Sequence, residues 1–369
     1  MKNKLVTIVG TRPEIIKLSQ IINKCDDFFD HILIHTGQNY DYELNEIFFK
    51  DLNIRKPDYF LDIKSNSLGE SIGNVISKSY ETLKKINPDC FLVLGDTNSC
   101  LSTISAKRLK IPIFHMEAGN RCFDQNVPEE INRKIVDHIS DINLTYTENA
   151  RKYLLAEGIR KDFIFNIGSP MKEILDSNQN SIQSSEILNL LNLKKEDYIV
   201  VSLHREENVD NKENFINILK SLERITTRLE KKIIFSTHPR TKKRLNELSK
   251  DIDSNIEFIK PLGFFDYIAL QLNSFVVLSD SGTLAEETAI LKFPAVSLRT
   301  STERPEAIDS GSLILGSLDE NNILNSIDLA LNTKSNNEPD DYNKNNCSDK
   351  VVKIIQSYTS IVNREVWKK

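Results

Sequence analysis

Cysteine is scarce in this sequence, and no two cysteines have the spacing of a metal site. Five lie scattered over 369 residues without a C-x-x-C pair, so neither a disulfide framework nor a zinc site is expected. An excess of one charge is also lacking, because 48 basic and 53 acidic residues leave a net charge of -5; this does not suggest a nucleic-acid partner. The opening run MKNKLVTIVGTRPE is too short for the apolar part of a signal peptide or for a membrane span. We therefore expect a soluble, cytoplasmic protein that binds no metal, nucleic acid or membrane.

The sequence also lacks a dinucleotide-binding fingerprint. Its first strand-like run enters GTRPEIIK at residues 10–17, which is not the G-x-G-x-x-G pattern, so no nicotinamide cofactor is expected. Present instead is a glycine turn before a helix, whose first N–H groups can meet an anion, with Arg12 and Lys17 adding positive charge. A plain helix start with solvated basic residues explains the same pattern, and both interpretations stay open.

Apolar runs of strand length alternate with helix-length amphipathic stretches along the chain. This alternation is typical of parallel sheets covered by helices and predicts an α/β protein with two doubly wound domains. The predicted strands of the first half are residues 5–9, 31–35, 90–94, 112–115 and 142–146. Those of the second half are residues 198–203, 232–236, 256–260, 275–278 and 295–298.

The length exceeds what one hydrophobic core usually holds, which favours two domains. Glycine and proline end regular structure at the Gly-Ser-Pro sequence that begins at Gly168. We place the boundary there, with residues 1–168 as the first domain and residues 169–350 as the second. The last helical segment, residues 351–369, is predicted to complete the first domain.

Acidic side chains follow two neighbouring predicted strands. LGDTNSC places Asp96 at a strand tip, where an aspartate often serves only as a cap, and Ser99 is placed to cap the following helix. The next strand delivers Glu117 to the same edge, and carboxylates that come close raise each other's pKa, which suits them to proton transfer. PEEINR then begins a helix with Glu129 and Glu130 in its first turn, placed either for chemistry or only to complement the helix dipole.

Histidines and arginines follow successive strands of the second half. SLHREEN puts His204 and Arg205 after one strand, and STHPR puts His238 and Arg240 after the next. A lone histidine is usually structural, but two at successive strand tips, each close to an arginine, favour a functional role.

The loop LSDSGTLAEET predicts an anion-binding nest. Ser281, Gly282 and Thr283 open a helix there, and their N–H groups suit a phosphate. Glu286 or Glu287, on the first turns of that helix, is placed to accept hydrogen bonds from the paired hydroxyls of a sugar.

Taken together, these motifs resemble those of the non-hydrolysing UDP-N-acetylglucosamine 2-epimerases. Eight occur in the order of that family and cover nearly the whole chain: GTRPEIIK, HTGQNYD, GDTNS, HMEAGNR followed by PEEINR, LHREEN, THPR, SDSGTLAEE and TERPEA. The resemblance implies a glycosyltransferase-B architecture of two Rossmann-like domains, an active site in the cleft between them, a homodimer and no cofactor. It also implies that UDP is eliminated to leave a 2-acetamidoglycal and is then added back, with a proton on the other face of C2.

The resemblance assigns roles to particular residues. Asp96, Glu117 and Glu129 match the catalytic acids, and His204 matches a catalytic histidine that assists the diphosphate; which acid removes the C2 proton is left open. The residues implied to bind UDP or the substrate, with Glu287 on the ribose, are Arg12, Lys17, Gln38, Arg121, Arg205, His238, Arg240, Tyr267, Ser281, Gly282, Thr283, Glu287 and Arg304.

Two departures from the family pattern bear on the substrate. HMEAGNRCFDQNVPEE and SGT stand where HVEAGLR with a longer insert and SGG are usual, and they are more similar to the branch that converts UDP-2-acetamido-2,6-dideoxy-L-talose to UDP-N-acetyl-L-fucosamine for capsule or O-antigen. We predict that substrate, with UDP-N-acetylglucosamine as the first alternative, giving UDP-N-acetylmannosamine. Phe123 is expected either to contact the sugar methyl group or to anchor its loop.

Three other functions are separated by simple criteria. A glycosyltransferase of the same architecture needs an acceptor, and a sugar-nucleotide-binding regulator needs no acids at the strand tips. A hydrolysing epimerase releases UDP irreversibly.

Overall fold

The structure, a computed structural model, describes residues 2–37, 46–63, 65, 67–247, 253–316, 319–333 and 338–369. The chain folds into two compact units. Unit 1 comprises Met1–Ser177 and Asp340–Lys369, and unit 2 comprises Asn178–Pro339.

Unit 1 is built from strands that alternate with helices. Its strands are β1 (Lys4–Val9), β2 (Asp30–His35), β3 (Tyr59–Phe60), β4 (Cys90–Leu94), β5 (Ile113–Met116), β6 (Ile142–Thr145) and β7 (Ile164–Asn166). Its helices are α1 (Arg12–Phe28), α2 (Glu46–Asp51), α3 (Leu68–Ile86), α4 (Thr103–Arg108), α5 (Pro128–Ile139), α6 (Glu148–Ala156), α7 (Met171–Ser177) and, from the end of the chain, α17 (Cys347–Val362). Local sequence sets several of these starts: the Ser67 side chain accepts a hydrogen bond from the N–H of Glu70 at the start of α3, and Pro128 stands in the first turn of α5.

The seven strands of unit 1 form one sheet in the order β3-β2-β1-β4-β5-β6-β7, with every neighbouring pair parallel. The central strands are buried along their full length, as expected for a sheet covered by helices on both faces. The strand order reverses between β1 and β4. In open α/β sheets, ligands bind at the carboxyl ends of the strands beside such a reversal.

Unit 2 repeats this plan with six strands. They are β8 (Tyr198–Leu203), β9 (Lys232–Thr237), β10 (Ile256–Ile259), β11 (Val276–Ser279), β12 (Ala295–Ser297) and β13 (Ile314–Leu315). The helices are α8 (Gln179–Gln183), α9 (Ile187–Leu190), α10 (Glu206–Val209), α11 (Lys212–Leu229), α12 (Pro239–Glu247), α13 (Phe264–Leu272), α14 (Leu284–Leu291), α15 (Pro305–Asp309) and α16 (Glu320–Asn332).

The sheet of unit 2 is also parallel throughout, in the order β10-β9-β8-β11-β12-β13. Its core gathers apolar side chains of the strands with those of α11 and α16. The order reverses between β8 and β11, so this unit too has a ligand-binding edge of the kind described for unit 1.

The end of the chain belongs to unit 1. Helix α17 packs against α1, and Lys24 on α1 forms an ion pair with Asp349 at 2.6 Å. Asp341 fixes the approach to α17, because its carboxylate accepts hydrogen bonds from the N–H of Glu148 and the side chain of Asn166 at 2.8 and 3.0 Å. Gly168, our sequence-based boundary, lies inside unit 1, whose first segment continues to Ser177.

The predicted α/β class with two doubly wound domains is confirmed. Each of the ten predicted strands coincides with an observed one to within a residue or two, and β3, β7 and β13 were not predicted. Within the described ranges, no helix combines the length and apolar character needed to span a bilayer.

Candidate active site

In each unit, we call the carboxyl edge of the sheet beside the strand reversal the switch edge. A buried glutamate connects the loops at the switch edge of unit 1. Glu14, 1% exposed on α1, accepts hydrogen bonds from the N–H of Gly10 at 2.5 Å, from the Ser99 hydroxyl at 2.7 Å and from the Thr97 hydroxyl. Burial raises the pKa of this carboxyl, although the hydrogen bonds from Thr97, Ser99 and Gly10 oppose the rise. The loop after β1 is thereby fixed to the loop after β4.

Lys17 and Glu117 form a buried ion pair at this edge. The Nζ of Lys17 lies 2.7 Å from Oε2 of Glu117, and the two side chains are 5% and 9% exposed. Glu117 follows β5 with a φ of +64°, a left-handed conformation that costs a non-glycine residue about 1 kcal/mol or more and is typical of functional sites. The backbone turn therefore directs an acidic group to a buried cation at the carboxyl end of the sheet.

Asp96 is paired with an arginine and does not act as a helix cap. Its Oδ2 accepts from Nε of Arg133 on α5 at 2.7 Å, and its backbone oxygen accepts from Asn132 at 2.8 Å. The predicted cap at Ser99 is wrong, because its hydroxyl donates to Glu14 instead. Asp96 and Glu117 thus share an edge of the sheet, as predicted, and each is ion-paired with a base.

The loop after Glu117 is anchored by Asp137 on α5. The N–H of Gly119 donates to both Asp137 oxygens at 3.2 Å, and Nδ1 of His115 lies 3.0 Å from Oδ1. Gly119 has a φ of +83°, and a Cβ there would lie 2.4 Å from the oxygen of Ala150, so the loop requires glycine.

Arg121 belongs to the same buried network. Its guanidinium donates to Asp137 at 2.7 Å and to Glu157 at 2.7 and 2.6 Å, and the residue is 1% exposed. Burial opposes the charge of Arg121, but the hydrogen bond that it donates to Glu157 and the charge of Asp137 raise its pKa above the usual value. This arrangement favours a structural role for Arg121, and its predicted role in substrate binding stays a prediction.

The two glutamates at the start of α5 differ in environment. Glu130 is 1% exposed and accepts from the N–H of Cys122 at 3.0 Å and from Arg133 at 3.0 Å. Burial raises the pKa of Glu130, but the hydrogen bonds from Cys122 and Arg133 outweigh it and leave the pKa lowered. Glu129 is half-buried in the same first turn. These contacts favour a structural role for Glu130, and the predicted catalytic role of Glu129 stays a prediction.

Two further predicted binding residues belong to unit 1. Arg12 opens α1, with its guanidinium 5.8 Å from the centre of the Phe48 ring. Gln38 lies outside the described residues.

The switch edge of unit 2 is organised around Asp280, directly after β11. This aspartate is fully buried and accepts from the N–H groups of His204 and Arg205 at 3.1 and 3.0 Å and from the side chain of Asn208 at 3.0 Å. Nδ1 of His204 lies 3.1 Å from Oδ1 of Asp280. The His204 ring is one-third exposed and lies 6.2 Å from the ring of His238, so the two predicted histidines come together.

The predicted nest follows Asp280 directly. Thr283 is the N-cap of α14 with helical dihedral angles, and the hydroxyls of Ser281 and Thr283 lie 3.0 Å apart. A Cβ at Gly282 would lie 2.8 Å from Oε1 of Glu303. Glu303 is itself paired with the buried Arg299, so a small residue is needed where the nest meets this ion pair.

The two glutamates of α14 have separate partners. Glu286, fully buried, lies 3.2 Å from the guanidinium of Arg304, which is 1% exposed. Glu287, 5% exposed, accepts from Gln271 on α13 at 2.9 Å. Arg304 is therefore held beside the helix that carries the nest.

The remaining predicted residues of unit 2 lie on helices. Arg240 is exposed near the start of α12, 3.9 Å from Asp210. Tyr267 is half-buried on α13.

Four buried or partly buried residues of these edges were not predicted: Glu14, Arg133, Asp137 and Asp280. Three of them lie inside quoted motifs, namely GTRPE, PEEINR and SDSG, and this position was the signal that could have identified them. Asp137 lies on α5 beyond the end of the PEEINR motif, so no motif pointed to it. In the part of the chain that the structure describes, no three His, Cys, Asp or Glu side chains are arranged to hold a metal ion.

Two doubly wound units, each with a parallel sheet, define the glycosyltransferase-B class of architecture. The glycosyltransferase of kitacinnamycin has a TM-score of 0.56 and 7% identity to this chain, which is a likeness in fold alone. Residues 23–356 match the family described as UDP-N-acetylglucosamine 2-epimerase. The chain belongs to this family of isomerases.

Individual relatives agree with the family assignment. The UDP-N-acetylglucosamine 2-epimerase of Methanocaldococcus jannaschii is 40% identical over 95% of this chain and 98% of its own length. A solved UDP-N-acetylglucosamine 2-epimerase from Rickettsia bellii is 48% identical, with a TM-score of 0.93 over the whole of both chains. The M. jannaschii enzyme in complex with UDP-GlcNAc and UDP has a TM-score of 0.91 and 39% identity over 96% of this chain and 99% of its own.

Proposed function

We propose that this protein is a non-hydrolysing UDP-N-acetylhexosamine 2-epimerase. The observation that carries the proposal is the cluster of acids and bases at the switch edge of unit 1, where Glu117, in a strained left-handed conformation, pairs with the buried Lys17. Epimerisation at C2 without a carbonyl neighbour requires both proton transfer and departure of the diphosphate, and the acids support the first step.

The reaction runs in two balanced halves. A carboxylate removes the C2 proton while the C1–O bond breaks, so UDP leaves with the electron pair and a C1=C2 double bond forms. A diphosphate oxygen then attacks C1, and an acid returns a proton to C2 from the opposite face. Asp96, Glu117 and Glu129 are the proposed acids and bases, because proton transfer is needed on both faces of the ring.

Unit 2 is proposed to hold the UDP group of the same substrate. The nest of Ser281, Gly282 and Thr283 supplies N–H donors at the start of α14, and Arg304 lies beside that helix through its pairing with Glu286. His204, held by Asp280, is proposed to stabilise the departing diphosphate. The proposal assigns Glu287 to the ribose, and Arg12, Gln38, Arg205, His238, Arg240 and Tyr267 to the remaining contacts with UDP or substrate.

UDP-N-acetylglucosamine is the first candidate substrate. The printed names of the similar enzymes from M. jannaschii and Rickettsia bellii support it, as does the UDP-GlcNAc bound to the former. The product is then UDP-N-acetylmannosamine.

The 6-deoxy-L-talose sugar is the second candidate, and Phe123 favours it. Phe123 is 68% exposed, has a φ of +58° and contacts Tyr153 edge-on at 5.3 Å. The edge contact with Tyr153 holds the ring in place, and its exposed part offers an apolar surface to a sugar methyl group. The product, UDP-N-acetyl-L-fucosamine, would serve capsule or O-antigen synthesis. We also propose that the enzyme acts as a cytoplasmic homodimer.

One incubation separates the classes of function. The protein is incubated with each UDP-sugar alone, and the products are followed by proton NMR. An epimerase reaches an equilibrium in which UDP remains attached, a hydrolysing enzyme accumulates free UDP, and a glycosyltransferase or a regulator leaves both sugars unchanged. The ratio of kcat/KM for the two sugars then decides the substrate; a higher value for UDP-N-acetylglucosamine rejects the fucosamine branch.

A further inference from the structure

Asp280 connects the two loops that meet at the switch edge of unit 2. It follows β11, whereas His204 and Arg205 follow β8, and it receives both of their backbone N–H groups. Asn208 links the same carboxylate to the backbone oxygen of Leu298, at 3.0 and 3.1 Å. A fully buried carboxylate is stable in a protein only when it is hydrogen-bonded in this way.

The carboxylate also sets the protonation of the His204 ring. Its Oδ1 lies 3.1 Å from Nδ1 of His204, and an ionised carboxylate can only accept a hydrogen bond. A negative charge at this distance favours a proton on Nδ1 over one on Nε2, so in the neutral ring Nε2 is the nitrogen without a proton. The same negative charge stabilises the imidazolium that forms when Nε2 is protonated.

The geometry assigns to Asp280 the role of a positioning residue that fixes the tautomer and orientation of His204. His204 thereby presents Nε2 to the diphosphate of the substrate, while Asp280 itself does not touch the substrate. This inference rests on the proposed function for the identity of the ligand, but its structural content, the protonated Nδ1, does not depend on turnover.

The tautomer is measured first, on the wild-type protein. With histidine labelled by ¹⁵N, long-range ¹H–¹⁵N correlation spectra at a pH where the ring is neutral are expected to show His204 protonated at Nδ1, with the signal assigned by its loss in His204→Gln. Asp280→Asn is expected to shift His204 to a mixture of tautomers. A wild-type ring protonated at Nε2 overturns the inference, whatever the activity of the protein.

A double-mutant cycle tests the consequence for the reaction. Asp280→Asn is expected to lower kcat roughly a hundredfold, in the range of a lost acid–base contribution, but to lower it less than about threefold in a His204→Gln background. Equal losses in both backgrounds mean that Asp280 only supports the fold, and they overturn the inference. Asp197→Asn is the matched control, because Asp197 is exposed and pairs with Lys231 at 3.2 Å. If the protein acts on no UDP-sugar, the proposed function is rejected. The NMR spectrum alone then tests whether Asp280 fixes the tautomer of His204.

Discussion

Glu117 combines three properties at a single residue. It is buried, it has a left-handed backbone, and it is paired with a lysine from a different strand–helix turn. Burial, strain and a fixed ion pair all cost free energy unless neighbouring groups compensate them. Ligands bind at this edge in such sheets, and the combination supports our proposal that Glu117 is a catalytic residue.

We therefore expect Glu117→Gln to reduce turnover by roughly a hundredfold or more, as does Asp96→Asn, because each removes a group that transfers protons. Affinity for UDP, measured by isothermal titration calorimetry, should remain within a few-fold of wild type. Glu81→Gln, an exposed carboxylate on α3, is the control and should leave both unchanged. Near-normal turnover in Glu117→Gln would remove Glu117 from the proposed mechanism.

The sequence predicted Asp96, Glu117 and His204 at the edges of the sheets because each directly follows an apolar run. It did not predict their partners. Arg133 and Asp280 reach Asp96 and His204 only through the fold, since Asp280 and His204 lie 76 residues apart in sequence. A contact of that separation has no periodic signal in a single sequence.

At the scale of elements, one buried arginine connects α5 and α6 to the loop that follows Glu117. Arg121 joins Asp137 on α5 to Glu157 at the end of α6. The hydrogen bond from Arg121 holds the pKa of Glu157 below its usual value of 4.5, although burial opposes the effect. A lowered pKa means that this carboxylate stabilises the folded state above about pH 4.5, and that the contribution is lost as the pH falls through the folded-state pKa.

Glu157→Gln is accordingly expected to lower the free energy of unfolding at pH 7 by about 1 kcal/mol or less, since Glu157 is partly exposed. The difference from wild type should shrink as the pH falls toward 3. Urea unfolding at several pH values measures this, with Glu148→Gln on α6, half-exposed and 3.8 Å from Arg151, as the control. A difference that grows on acidification would contradict the assignment. If Glu157→Gln binds UDP as tightly as wild type, this would support a structural role for Arg121 over its predicted role in substrate binding.

The elements missed from the sequence share a physical reason. The strands β3, β7 and β13 contain two or three residues each and lie at or next to the edges of their sheets. A short strand at an edge is covered by fewer neighbours and need not carry an apolar run, whereas the equally short β12 lies inside its sheet, is fully buried and was predicted. The positions of the missed strands depend on pairing with a longer neighbour, as Tyr59 and Phe60 pair with β2.

At the scale of the whole molecule, both sheets have their strand reversal at the equivalent place, between the first and fourth strands of each unit. Each unit therefore has its own carboxyl edge beside a reversal, with the ion-paired Asp96 and Glu117 at one and the loop of Ser281, Gly282 and Thr283 at the other. The family assignment and the two doubly wound domains were predictable from motif order and alternation. Our prediction of the sugar rested instead on the side chains of a single loop, which carry no periodic signal.

Elimination and re-addition make a prediction for the complete reaction. In D2O, the product is expected to carry deuterium at C2, because the acid that returns the proton exchanges with solvent between the two halves of the reaction. Mass spectrometry and NMR of the product measure the label, and Glu117→Gln should incorporate it more slowly by roughly a hundredfold or more, in step with its turnover. A product without deuterium at C2 would point to a shielded hydrogen transfer and exclude the elimination route.

The return of α17 to unit 1 also sets the order in which the molecule can be completed during translation. Residues 178–339, which form all of unit 2, leave the ribosome before residues 340–369. Domains commonly fold as they emerge, the N-terminal one first, but here the unit that begins the chain is the last to be finished. Until α17 arrives with its buried Val351, Ile355 and Val362, the surface of α1 that it covers stays in contact with water and is open to chaperones.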